Sequence, residues 1–368
     1  MSIRETIETT PLIDNHAHPV EPLSATDVRE RFAQWFTEGD LSNRDARHTL
    51  NYRAVLGVLA ERFDGTPANE AELLEQRATV DRRRYTRECL ADTGTDVILT
   101  DDGFPEMDPD EFREYTDATV HPLLRLEPLA ESLIDEHERF AAFENALVDR
   151  VAAALDGDYV GLKTIVAYRR GLNVGPADRA DARAAYADVR RDWDGRLEHP
   201  QLLDFVIHRA CNLAAERNVP IQVHAGFGDS DAHPRYVDPT HLVACIEAHP
   251  ETQFVVLHAG YPYVGQAGYV TATYSNVYLD LSLAVPFAQH GSQRVVSTAM
   301  ELAPTTKLLY GSDAFSVPEL YVLAARRFRD ALATTLEDIV EDEIVTESYA
   351  ETAAENVLRE NAIRLYDL

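Results

Sequence analysis

At 368 residues the chain has room for one large α/β barrel with insertions or for two ordinary domains, and for a sizeable apolar core. Its 63 acidic residues against 34 basic ones leave a formal charge of −29, which argues against nucleic acid and anionic membrane as partners because both select a positive surface. Among the basic residues only Lys163 and Lys307 are lysine, a pattern that fits a halophilic protein in a very salty cytoplasm, where screening lengths shrink to a few ångströms and an acidic surface repels itself little.

The opening MSIRETIETTPLI has no basic stretch followed by a long apolar run, so no secretory leader is expected. No apolar segment approaches the length a bilayer requires. A soluble, cytoplasmic protein is the expectation. LIDNH (12–16) reads as a first strand, and residues 20–95, including ATDVRERFAQWF, read as a polar, largely helical insertion behind it. Further strands are expected at DVILTDDG (96–103), LLRLEP (123–128) and YVGLKTIV (159–166), followed by a second long connection over 167–200. In HPQLLDFVIHRACNLAAERN (199–218), Leu202, Phe205, Val206, Ala210 and Leu213 recur at helical spacing. VPIQVHAG (219–226) is a fifth strand, and a helix over 238–250 starts at Asp238 as N-cap with proline behind it. FVVLHAG (254–260), VYLDLSL (277–283) and KLLYGSD (307–313) complete the set, and helices run from Pro318 to Leu368. Several runs are apolar at nearly every residue, as parallel strands covered on both faces are. Eight strands alternating with helices predict a (β/α)8 TIM barrel formed as one domain by residues 1–368, with a helical insertion after strand 1 and C-terminal helices. An open doubly wound sheet would alternate in the same way. Cys89, Cys211 and Cys245 are far apart and odd in number with no CxxC pair, and are expected to be reduced, mostly buried small hydrophobes rather than a disulfide frame or a zinc cluster.

In a barrel the strand ends share one mouth, and the chemistry-bearing residues of this chain fall at strand ends. His16 and His18 close the first strand with one small residue between them, a spacing that puts both on one side. His224 ends strand five, His258 strand six and Asp313 strand eight, while Lys163 lies in strand four. Imidazoles and a carboxylate are zinc ligands, and three or four of them with an open position make a catalytic site. Such a site activates water and polarises a carbonyl. Asp313 suits both ligation and proton transfer, and His258 suits orienting the water or stabilising the oxyanion. A lone histidine before Ala-Gly is more often structural, and Asp313 would also serve as a helix cap; the shared position of all these residues at strand ends favours chemistry. Lys163, in a chain that otherwise uses arginine, fits two roles, a carboxylated bridge between two metals or a cation that receives a substrate carboxylate. Arg169 and Arg170 are candidates for fork-shaped carboxylate recognition.

LIDNHAHP, the VHAG and LHAG strand ends, NVYLDLS and YGSD resemble the amidohydrolase superfamily, and within it the amidohydrolase-2 family of metal-dependent barrel hydrolases and decarboxylases. GLKTIVAYRRGL with HAGYPYV is most similar to the branch found beside or fused to glutamine-synthetase-like proteins. The resemblance implies one divalent metal ion, usually Zn2+, held by His16, His18, His224 and Asp313, with His258 assisting water. Lys163 departs from the single-metal pattern and leaves one ion or two open. The function implied is hydrolysis of a C–N amide-type bond in a small carboxylate-bearing substrate. Non-oxidative decarboxylation on the same site and a non-catalytic binding subunit are the rivals. A homo-oligomer, or a glutamine-synthetase-like partner, is the association expected.

Overall fold

The computed structural model describes residues 2–101, 103–105 and 107–368. Met1, which heads the N-terminal segment, and Asp102, inside the expected second strand, lie outside the described residues. Eight parallel strands form one sheet in chain order: β1 Leu12–Ala17, β2 Thr95–Asp101, β3 Thr119–Arg125, β4 Gly161–Thr164, β5 Ile221–Val223, β6 Phe254–Val256, β7 Val277–Asp280 and β8 Leu308–Leu309. The fold is a (β/α)8 barrel, and no helix among the described residues is long and apolar enough to cross a membrane.

Most strands are shorter than the apolar runs that announced them, but β1 extends to Ala17 and β3 lies earlier than expected, over Thr119–Arg125, with a helix starting at Leu126. β8 keeps only Leu308–Leu309, and Lys307 ends a 3-10 turn before it. The remaining residues of the run climb over the mouth and zip onto β1 outside the regular ladder. Asn15 N–H donates to Tyr310 O (3.0 Å), Asp313 N–H to His16 O (2.8 Å), His18 N–H to Ala314 O (2.8 Å) and Ser316 N–H to Pro19 O (3.0 Å). These bonds close the cylinder. At the other end the C-terminal helix Asn361–Tyr366 is the plug: Ala362, Leu365 and Tyr366 pack with Ile13, Leu123, Val255 and Leu309 of the strands, and Tyr366 lies against Gly161 at the start of β4.

The expected helix over 199–218 is present as Pro200–Arg217, with proline in the first turn and Asn218 in the left-handed conformation (φ 53°) that ends it. Asp238 caps as expected, accepting from Thr240 N–H, but the segment begins with a 3-10 turn, Pro239–Leu242, and is α-helical only over Val243–Ala248. A short helix, Ile3–Thr9, precedes β1 and was not legible as an element in so polar a stretch. Lys307 is structural, donating to the carbonyls of Thr271 (3.2 Å) and Tyr274 (2.7 Å) at the end of the helix Val264–Thr273.

The insertion carries the helices Ala25–Arg31, Leu50–Arg62, Glu70–Ala78 and Arg82–Ala91. It has an apolar core of its own, in which Phe32, Phe36, Tyr52, Leu56 and Leu73 meet Leu320 and Tyr321 of the long helix Pro318–Glu341. One buried ion pair locks the two together. The Arg77 guanidinium reaches Glu319, whose Oε1 also accepts from Tyr85 (2.9 Å), and it lies 4.4 Å from the Tyr85 ring centroid. Removing one member of a buried pair leaves the other charge uncompensated. Arg77→Leu is therefore expected to lower the unfolding free energy by about 3–5 kcal/mol, read as a fall in the denaturant midpoint; a loss below about 1 kcal/mol, typical of exposed pairs, would show that Glu319 finds solvent.

Candidate metal centre at the barrel mouth

The closure bonds bring the first and last strands' ends into one cluster. His16 Nε2 and His18 Nε2 each lie 3.1 Å from the same oxygen, Asp313 Oδ1, and His258 Nδ1 lies 3.6 Å from Asp313 Oδ2. Ligand atoms of His16, His258 and Asp313 fall within 4.8 Å of one another, as do those of His16, His18 and Asp101. Lys163 Nζ is 3.0 Å from His16 Nε2. All six side chains are buried. Residues nearly three hundred apart in the chain thus share one small volume.

Hydrogen-bond bookkeeping fixes which nitrogens carry lone pairs. His18 Nδ1 meets the Asp101 carbonyl (3.1 Å), which only accepts, so Nδ1 donates and the Nε2 lone pair faces Asp313 Oδ1. In the neutral ring these are two acceptors at 3.1 Å, a gap that a shared proton or a metal ion fills. At His258 the hydroxyl of Ser282 gives its proton to the Asp280 carboxylate and therefore accepts from His258 Nδ1–H (3.0 Å). That leaves His258 Nε2 to accept from His224 Nδ1 (3.0 Å). His224 Nε2 is then a bare lone pair, buried without a partner. The chain's own hydrogen bonds thus aim imidazole nitrogens of His18 and His224 as metal-ligating histidines are aimed, through a partner on the opposite ring nitrogen. The donor set, imidazole nitrogen plus carboxylate, fits a borderline divalent ion such as zinc.

Electrostatics agree. Burial, helped by Lys163, brings His16 down to about 4, and burial also holds His224 and His258 well below the usual histidine range, so all three are neutral, as ligands must be. Burial opposes ionisation of Asp313, and its carboxyl lies well below the ordinary value only where positive charge from His258 and donated protons from His16 and His18 face it, a place that a cation would take once those rings are neutral. Burial pushes the Lys163 ammonium down to about 8 against the pull of Asp101 and Asp313. His258 (φ 61°) and Asp313 (φ 48°) both adopt left-handed backbone, a conformation that costs energy away from glycine and clusters at functional sites. The glycine of each HAG triplet has a steric reason. Gly226 (φ +74°) and Gly260 (φ +56°) lie in touching loops, and a Cβ on Gly226 would meet Tyr261 O at 2.2 Å.

The cluster opens into a cleft of about 330 Å3. Both long connections wall it, with Thr37 and Glu38 from the insertion and Tyr168, Arg169 and Arg196 from the connection after β4. Arg169 reaches the cleft while its Nη2 bonds Glu131 (3.1 Å). Arg170 does not line it; its guanidinium is turned away onto Asp204. Several residues in or behind the site escaped sequence reasoning. Asp101 ends β2, beside His18, and is clamped by Arg125 (2.7 Å); an acid at the end of an apolar strand was the available signal. Asp280 accepts from the backbone N–H groups of His258 (3.2 Å) and Ser282 (3.0 Å) and from Asn15 Nδ2 (3.1 Å). Glu38 carried no signal, lying in an insertion of ordinary polarity. Burial and the nearby Asp313 and Asp229 push its carboxyl up to about 8, and its Oε1 has no hydrogen-bond partner.

A parallel barrel with a histidine and aspartate cluster at the C-terminal mouth defines the class of barrel enzymes whose chemistry is built on strand ends. Residues 13–368 match the family model described as Amidohydrolase. Protein fluG of Emericella nidulans is 32% identical over 408 aligned positions, covering 100% of this chain and 47% of that protein, so the chain spans about half the length of its curated relative. A crystal structure from Lactobacillus casei, provisionally described as a metal-dependent hydrolase, superposes with a TM-score of 0.91 at 28% identity, covering 100% of this chain and 97% of that one. A uronate isomerase from Thermotoga maritima shares the fold, with a TM-score of 0.72 at 15% identity over 99% of this chain and 96% of that one. The chain belongs to the amidohydrolase family.

Asp280 reaches the cluster through the backbone of His258 and through Ser282, which holds the His258 ring, and this makes it a positioning residue. Asp280→Asn is expected to keep the fold and to reduce metal affinity or turnover by about 10–100-fold; unchanged values in metal titration and in kcat would remove it from the site.

Proposed function

We propose that this protein is a metal-dependent hydrolase that cleaves a C–N amide-type bond in a small carboxylate-bearing molecule. The observation that carries the reading is the meeting of His16 Nε2 and His18 Nε2 on one oxygen of Asp313, with the unpartnered His224 Nε2 in the same buried neighbourhood. His16, His18, His224 and Asp313 would hold one divalent ion, with Zn2+ the best match to their donor set. When bound, the ion supplies Lewis acidity and brings the pKa of a water molecule to about 7.

The remaining work falls to the protein. Asp313 accepts the proton of the attacking water and returns it to the leaving nitrogen as the C–N bond breaks and the new C–O bond forms. His258, 3.6 Å from Asp313 Oδ2 and held by Ser282, orients the water. Arg169, at the cleft wall, and Lys163, beneath it, supply positive charge for the substrate carboxylate, with Arg125 held back by Asp101. Tyr168 and Phe104 give the same cleft aromatic walls. The rival decarboxylation would use the same side chains and is distinguished by its product. Family resemblance, rather than a contact in the fold, supports a glutamine-synthetase-like partner.

Removal of metal by a chelator is expected to abolish turnover in a screen of glutamyl and aryl amides, and Zn2+ to restore it. His16→Ala is expected to lose the bound ion, and Asp313→Asn to lower kcat by about 10²–10⁴-fold, the range for removing a general base, with folding intact by circular dichroism. Activity retained in both variants would overturn the site; carbon dioxide release without free amine would overturn the bond assignment. Lys163→Arg is expected to fail although it keeps the charge, because the residue is 1% exposed and its place does not hold the larger, planar guanidinium. Normal kinetics in that variant would show the amine to be dispensable.

A further inference from the structure

On the outside of the barrel, away from the mouth, a second cluster of metal-ligating side chains takes no part in the chemistry above. Cys211 comes from the helix Pro200–Arg217, Cys245 from the neighbouring helix Val243–Ala248, and His249 caps the latter. Their ligand atoms lie within 4.8 Å of one another. Both cysteines are buried and carry free thiols, while His249 is half-buried beside a surface groove lined by Arg209, Asn212 and Glu251.

The histidine is aimed. His208 Nε2 lies 2.9 Å from the Gly175 carbonyl, which can only accept, so that nitrogen carries a proton and, in the neutral ring, His208 Nδ1 is an acceptor. His249 Nε2, 2.6 Å from it, must then donate, which leaves His249 Nδ1 as the lone-pair nitrogen. This is the arrangement found behind metal-bound histidines, where a hydrogen bond on one ring nitrogen fixes the tautomer and presents the other. The turn that bears His249 is pinned too. Asn276 Nδ2 donates to the carbonyls of His249 (3.1 Å) and Thr252 (2.9 Å), and Thr252 Oγ1 donates to Cys211 O (2.9 Å).

We propose that Cys211, Cys245 and His249 form a structural site for a thiophilic cation, Zn2+ in the first instance, that clamps two outer helices of the barrel, with His208 as the positioning residue and the open coordination position facing the groove. Two thiolates and an imidazole select soft or borderline metals over Mg2+ and Ca2+. Loading releases the two thiol protons to solvent, so affinity rises with pH. All three cysteines are free and buried as their spacing suggested, and the proposal gives two of them a ligand. The site is independent of the barrel chemistry.

Cd2+ is the probe, added to the metal-stripped full-length protein. One equivalent per chain is expected to produce the ultraviolet charge-transfer absorption of a cadmium thiolate, which the thiol-free barrel site cannot give. The band should vanish in Cys211→Ser and Cys245→Ser, persist in Cys89→Ser and His16→Ala, and require about 10–100-fold more Cd2+ in His208→Ala. Where the serine variants fail to fold, the half-exposed His249→Gln serves instead, with the same weakening expected. In a His16→Ala background, where the barrel ion is lost, Zn2+ should raise the thermal midpoint, and adding His249→Gln should shrink that rise. Absence of the band in wild type with all three thiols titratable, a band that survives loss of both cysteines, or titration of a single thiol because Cys211 and Cys245 have joined as a disulfide would each overturn the proposal.

Discussion

The site exists because two stretches of backbone at opposite ends of the chain are hydrogen-bonded to each other. Asp313 N–H reaches His16 O at 2.8 Å and His18 N–H reaches Ala314 O at 2.8 Å, so the seam that closes the barrel is also the line along which the cluster assembles. Regular pairing of β8 stops at Leu309, and the four residues that follow carry Asp313 over the rim in a left-handed backbone conformation. The strain is local. It is held by the seam bonds on one side and, on the other, by Ser312 N–H, which donates to Asp14 Oδ1 at 2.8 Å.

From that seam a polar shell spreads inward through a barrel whose centre would otherwise be apolar. Asp280 gathers donors from Asn15, His258 and Ser282, and Gln222 Nε2 binds the carbonyl of Asn15 (2.7 Å) and the hydroxyl of Tyr366 (2.8 Å), so the C-terminal plug and the mouth are joined by one hydrogen-bonded path. Buried carboxylates are costly to ionise, and Asp14 and Asp280 are raised to about 7 and about 6, with burial the leading cause for both. A side-chain network of this kind orders the rings that face the cleft. Through Ser282 and His258 it also sets the tautomer of His224.

Much of this was legible in the sequence. The apolar runs announced the barrel because parallel strands buried on both faces leave a near-continuous hydrophobic signature, and LIDNHAHP, VHAG, LHAG and YGSD placed their polar residues at the strand ends. What could not be read was set by long-range geometry. Arg169 and Arg170 are adjacent and chemically identical, and only the path of the chain after β4 turns one toward the cleft and the other onto Asp204. Glu38 becomes a cleft residue because an insertion with its own apolar core folds back over the mouth, a tertiary event with no local mark. Asp101 and Asp280 act through hydrogen bonds to groups far along the chain, and spacing does not encode such partners. Cys211 and Cys245 are 34 positions apart by numbering, and only helix packing on the barrel's outer layer brings them to one point.

Anomalous scattering from crystals grown with Zn2+ tests the central claim most directly. The expected result is a zinc peak bounded by His16 Nε2, His18 Nε2, His224 Nε2 and an Asp313 carboxylate oxygen, with Lys163 Nζ displaced from His16. A cluster that keeps both ring nitrogens on Asp313 with no peak among these atoms, or a peak elsewhere on the barrel alone, would contradict it.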